Sequence, residues 1–156
     1  MPLTTMKCIC ALLPALCLSA ALAAEPGIKT EVVGGTAIEL PSKSKVRMDY
    51  SGADALVFRG GKTELRVSYQ KVSTLEYGQN VSRRYAAAIL VSPFLLLSKS
   101  RKHFITLGYV DAEGRQQAIV IRVEKGDIRA VLAGLEARTG RRVEFQDADA
   151  RKAVKG

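Results

Sequence analysis

The chain has 156 residues, 47% of them hydrophobic and 25% charged, with 24 Lys and Arg against 15 Asp and Glu and a net charge of +9. That is enough apolar material for one domain with its own packed core. It excludes a multidomain machine, a collagenous chain, a disulfide-built scaffold and a multi-span transporter.

Residues 1–23 read as a secretory leader. Lys7 supplies the positive start, Ile9 to Leu18 the apolar stretch, and Ala21-Leu22-Ala23 the small-x-small cleavage signal. Cleavage falls after Ala23 or after Ala24. The apolar run is shorter than a membrane-spanning helix requires. Cys17 follows Leu16 rather than a small residue, which argues against a lipoprotein signal. Cys8, Cys10 and Cys17 all lie in the leader, so the exported product has no thiol for catalysis, for zinc or for an iron–sulfur cluster. The expected location is the periplasm or cell envelope. There, a basic chain meets anionic lipid head groups or an acidic polymer before it meets nucleic acid, and no nucleic-acid role is expected.

Residues 24–44, rich in Gly, Pro, Lys and Ser, read as a flexible linker, with at most a short strand near Thr36 to Leu40. Lys45 to Tyr50 alternates polar and apolar, the period of a half-buried strand. Ala55 to Phe58 is a second strand. Gly60-Gly61 joins it to a third, Thr63 to Tyr69, since glycines accept the positive φ of tight hairpin turns. Val72 to Tyr77 is a fourth. His103 to Val110 and Gln117 to Glu124 form a further pair around the turn at Asp111 to Gly114. The period then changes. Ile128, Val131, Leu132 and Leu135 fall on one helical face, with Asp127 as a side-chain N-cap and Gly140 as the left-handed stop. The tail, 146–156, reads as polar and frayed.

Six or seven antiparallel strands followed by one amphipathic C-terminal helix define a mainly β, α+β domain over residues 45–145. This order resembles bacterial pleckstrin-homology-like and GRAM-type domains. The stretches that carry the resemblance are Ala55-Leu56-Val57-Phe58, Thr63-Glu64-Leu65-Arg66-Val67-Ser68-Tyr69, Val72-Ser73-Thr74-Leu75-Glu76-Tyr77 and the helix from Asp127 to Arg138. The resemblance implies a bent antiparallel barrel with the helix plugging one end. Two departures stand out. The chain has no Trp, which many eukaryotic members place in the helix. Only Lys43, Lys45 and Arg47 approximate their basic phosphoinositide motif, so phosphoinositide binding is not carried over. Alternation puts those three on one face of an extended chain.

One segment breaks the pattern. Residues 85–97 are largely apolar and are bracketed by Arg83 and Arg84 on one side and Lys99, Arg101 and Lys102 on the other. A helix of this length reaches about 20 Å, short of the ~30 Å hydrocarbon core, and Pro93 would interrupt it. Two readings stay open. The segment dips into one leaflet through Tyr85, Ile89, Leu90, Phe94 and Leu95 while the cations meet anionic head groups. Or it is buried, in its own core or in a partner envelope protein.

No nucleophile elbow, phosphate loop, dinucleotide fingerprint or His pair with ligand spacing occurs. The lone His103 at a strand start reads as structural. The expectation is a non-catalytic, cofactor-free and metal-free binding module, peripherally associated with an envelope membrane. The alternative is a soluble structural or protein-interaction domain.

Overall fold

The computed structural model describes residues 26–37, 39–79 and 102–155. Six of its strands are those read from the sequence: β2 (Lys45–Asp49), β3 (Ala55–Gly60), β4 (Thr63–Ser68), β5 (Val72–Gly78), β6 (His103–Val110) and β7 (Gln116–Val123). Two more flank them, β1 (Ile28–Gly35) and β8 (Glu144–Phe145). Together they form one eight-stranded sheet in the order β4-β3-β2-β1-β7-β6-β5-β8. Neighbours are antiparallel except β5 and β8, which run parallel.

Strand β1 corrects the linker reading of residues 24–44. Ile28, Thr30 and Val32 alternate with Lys29 and Glu31, and β1 lies in the middle of the sheet, bonded to β2 on one side and β7 on the other. Pro26-Gly27 and Gly34-Gly35 disguised it. Gly35 is there for space: a Cβ at this position would sit 2.8 Å from the Ala118 carbonyl oxygen. A bulge between Val32 and Gly34 shifts the register against β7. The described residues between Thr36 and Leu40 form no strand. The Thr36 amide bonds to Ala118, and the chain then turns back through Lys43 (φ 68°) into β2.

The sheet bends around one core but does not close into the expected barrel, because its edges, β4 and β8, share no ladder. Met48, Leu56 and Phe58 from one half meet Leu75, Tyr77, Ile105, Leu107 and Ile121 from the other. Helix α1 (Ile128–Thr139) covers this inner side with Ile128, Val131, Leu132 and Leu135, the face its period predicts. Arg138 ties the helix to the end of the sheet, donating to the Ser51 and Gly52 carbonyls at 3.0 Å each. Gly140 is left-handed (φ 66°), and its amide closes on the Glu136 carbonyl at 2.9 Å. Asp127 stands at the N-cap, but its carboxylate makes no capping bond. Its backbone is already helical (φ −95°, ψ −16°), whereas a capping side chain reaches back from an extended residue.

The tail also differs from its reading. Helix α2 (Ala148–Lys155) starts where the Asp147 carboxylate accepts the Ala150 amide at 2.6 Å. Ala150 is fully buried in the core, and Arg151 lies over the Phe145 ring at 5.6 Å. Among the described residues no helix is long and apolar enough to cross a membrane.

A basic groove on the outer face of the sheet

Side chains that point away from the core on β1, β2, β3 and β7 line a groove of about 600 Å³. Its cations are Lys29, Lys45, Arg47, Arg59 and Arg122, and its carboxylates are Glu31 and Glu124. The register explains the clustering. Arg47 stands opposite Lys29 on one side and Arg59 on the other, so three cations form a row across three strands. Like charges placed directly opposite destabilise a sheet unless something negative meets them.

Internal carboxylates meet only part of this charge. Arg59 contacts Asp49 and Glu64 at 3.2 Å each, and the Asp49 pairing holds its guanidinium above the ordinary Arg range. Asp49 accepts from the Ser51 hydroxyl and amide, and these bonds, with Arg59 adding to them, hold its carboxyl below the usual carboxylate range. Arg122 pairs with Glu31. Arg47 donates to the Gly27 carbonyl at 3.1 Å. Lys29 and Lys45 are exposed, and neither makes an ion pair among the described residues.

Of the cations singled out from the sequence, the structure brings Lys45 and Arg47 into the groove. Lys43 is in the turn before β2 and does not line it, because its left-handed backbone takes it off the strand alternation. Lys102 precedes β6, also outside the groove. Arg83, Arg84, Lys99 and Arg101, and the apolar Tyr85, Ile89, Leu90, Phe94 and Leu95, lie outside the described residues. So does the leader. The groove adds Lys29, Arg59 and Arg122. Strand alternation was the available signal for Arg59 and Arg122, since each lies two residues from a buried partner on an outward position. Lys29 had no signal once β1 was read as linker.

A second groove, of about 430 Å³, opens between β4 and the β6–β7 turn. Within it Arg115 pairs with both Asp111 and Glu113. Asp111 accepts from Gln117 and Arg115 at 2.9 and 2.8 Å, and the Gln117 bond leads in holding its carboxyl far below the usual range. Tyr109, in the same wall, is pushed up to about 12 by burial, with Glu39 and Asp111 adding to it.

His103 is a core residue. Its Nδ1 lies 2.5 Å from the Tyr77 hydroxyl, and the two rings stack at 6.0 Å. Burial, with Lys125 adding to it, lowers the His103 pKa from 6.5, while burial raises that of Tyr77. Tyr77 therefore stays protonated and His103 neutral, and the imidazole tautomer sets which of the two donates. Among the described residues no three His, Cys, Asp or Glu side chains are grouped to hold a metal ion. No protein-family model matches the chain, and no curated protein matches it.

Proposed function

We propose that the chain is a non-catalytic, exported binding module of pleckstrin-homology-like fold that associates peripherally with an anionic envelope membrane. The fold reading is supported by two antiparallel meanders, β1 to β4 and β5 to β7, joined through β1 and β7, with an amphipathic helix after them on the inner core. The single observation that carries the function is the row Lys29, Arg47 and Arg59 beside Lys45 on an open face. Exposed lysines without internal partners keep their charge available to phosphate groups, each worth ~1 kcal/mol near an anionic surface. The test is co-sedimentation of the chain with phosphatidylglycerol-containing and neutral phosphatidylcholine vesicles at low and high salt. Binding to the anionic vesicles alone, weakened by salt, supports the reading. Equal binding to both, or none at low salt, refutes it.

Insertion of residues 85–97 into a leaflet is not needed for this attraction.

A further inference from the structure

The two edges of the sheet are unlike. Edge strand β8 has two residues, which is short enough to blunt it. Edge strand β4 has six, with no proline and no bulge in its ladder with β3, and among the described residues no strand pairs with its other side. The turn fixes which backbone groups that side presents. Gly61 and Lys62 make a two-residue hairpin loop, so the flanking pair Gly60 and Thr63 is hydrogen-bonded. So is every second pair after it, Phe58 with Leu65 and Leu56 with Val67. The Tyr69 amide donates to the Asp54 carbonyl at 3.1 Å, as this alternation requires. The amides and carbonyls of Glu64, Arg66 and Ser68 therefore point to the free side. All three residues are exposed, and the groove of about 430 Å³ leaves space beside Leu65 to Ser68.

An open edge of this kind is a template for one more strand. Its side chains select a second copy of the same strand. Glu64 and Arg66 stand at alternate positions on the outer face and carry opposite charges. Antiparallel pairing of two copies must match residues from the set Glu64, Arg66 and Ser68, whose backbone groups are free to bond. Centred on Glu64, it sets two carboxylates face to face, and centred on Arg66, two guanidiniums. Centred on Leu65, it sets Glu64 opposite Arg66 of the second copy, twice, and Thr63 opposite Val67. Leu65, half-buried beside the core, then meets its own copy on the inner side. Opposite charges across a ladder stabilise it and like charges destabilise it, which selects this register. Arg66 has charge to share, being 63% exposed and reaching Glu64 of its own chain only at 3.5 Å.

We propose that the chain forms a two-fold dimer through β4, in the register centred on Leu65, which joins two eight-stranded sheets into one. The pairing is self-complementary and closes at two copies, because each β4 edge is used up by the other. The dimer does not rest on the anionic-surface reading, since it uses the edge of the sheet and none of the groove's cations beyond Arg59, which keeps its bond to Asp49.

The test has two arms. In the first, sedimentation velocity of the full chain is followed at rising concentration up to the millimolar range. The expected mass approaches twice that of the monomer. Glu64→Arg alone and Arg66→Glu alone place like charges opposite each other and should give monomers, while the double exchange Glu64→Arg/Arg66→Glu should restore the dimer. In the second arm, Cys8, Cys10 and Cys17 are changed to Ser and a single Cys is placed at 63, 65 or 67, with folding checked by circular dichroism. In the proposed register residue 65 faces its own copy as a non-hydrogen-bonded pair, with Cα atoms about 4.5 Å apart, within the reach of a disulfide. Residues 63 and 67 each face the other and lie well away from their own copies. Oxidation with copper phenanthroline should therefore give at least tenfold more disulfide-linked dimer from Leu65→Cys than from Thr63→Cys or Val67→Cys. A chain that stays monomeric throughout overturns the proposal and leaves the edge to a strand of another protein. A dimer indifferent to the single charge reversals, or equal cross-linking at the three positions, also overturns it. Should a charge variant fail to fold, the cross-linking arm decides alone.

Discussion

Replacing Tyr77 by Phe removes one oxygen from a fully buried site and leaves the His103 Nδ1 without its hydrogen-bond partner. The ring, its stacking on His103 and its edge contact with Phe145 at 6.0 Å are retained, so the change isolates the hydrogen bond. An orphaned buried polar atom costs about 1–3 kcal/mol. Taking ~2 kcal/mol, and roughly 4 °C per kcal/mol for a domain of this size, the Tm falls by about 8 °C at pH 7.5. The double variant Tyr77→Phe with His103→Leu removes both partners and should recover most of that loss, because no polar group is then stranded. The two variants also separate in pH dependence. The native His103 pKa lies below 6.5, so protonation favours the unfolded chain. Its contribution is complete above about pH 6.5 and declines as pH falls towards the native pKa. This part of the slope vanishes in the double variant. Thermal unfolding followed by circular dichroism at pH 7.5 and 5 reads both effects. A Tyr77→Phe Tm within 2 °C of wild type, or a double variant no more stable than the single one, would refute the reasoning.

Two further predictions concern the sheet. Gly35→Ala should destabilise by roughly 1–3 kcal/mol, seen as a lower urea midpoint, because its Cβ would meet the Ala118 backbone oxygen at 2.8 Å and force β1 from β7. Asp49→Asn should flatten the acid limb of the stability curve. The native Asp49 pKa is depressed below 3.8, chiefly by Ser51, so its stabilisation is present above that value and is lost as pH falls through the native pKa. An acid limb as steep in the variant as in the wild type would contradict that assignment.

Strands β2 and β4 and helix α1 were legible because each has a wetter and a drier face, and period reports that contrast; β6, buried at seven of its eight residues, shows no such contrast and was legible as an apolar stretch closed by the turn after it. Strand β1 was not, although Ile28, Thr30 and Val32 alternate, because glycine has two uses that composition does not distinguish. Gly35 serves close approach to a neighbouring strand, while Gly61 serves a turn with φ 58°. Strand β8 has only two residues, too few to show a period, and it pairs in parallel with a strand nearly seventy positions away. Helix α2 is polar on most of its surface and docks through Ala150, a residue whose burial no pattern reveals. The groove was half legible. Lys45 and Arg47 were visible on a recognised strand, but their opposition to Lys29 and Arg59 is a matter of register between strands, and a single sequence carries no register. Lys43 misled for the same local reason in reverse: alternation was extended into a turn.

The anionic-surface reading meets its most direct test in the vesicle affinity of Lys29→Gln/Lys45→Gln. Both side chains are exposed, so the change leaves the core intact, and loss of two contacts worth ~1 kcal/mol each weakens binding about 30-fold. A matched pair on α2 and in the link from α1 to β8, Lys152→Gln/Arg142→Gln, removes the same charge far from the groove in the chain. The account predicts the 30-fold loss for the first pair, a much smaller loss for the second, and convergence of all three proteins at high salt. Equal losses for the two pairs would show that net charge alone drives binding and would contradict a site in the groove.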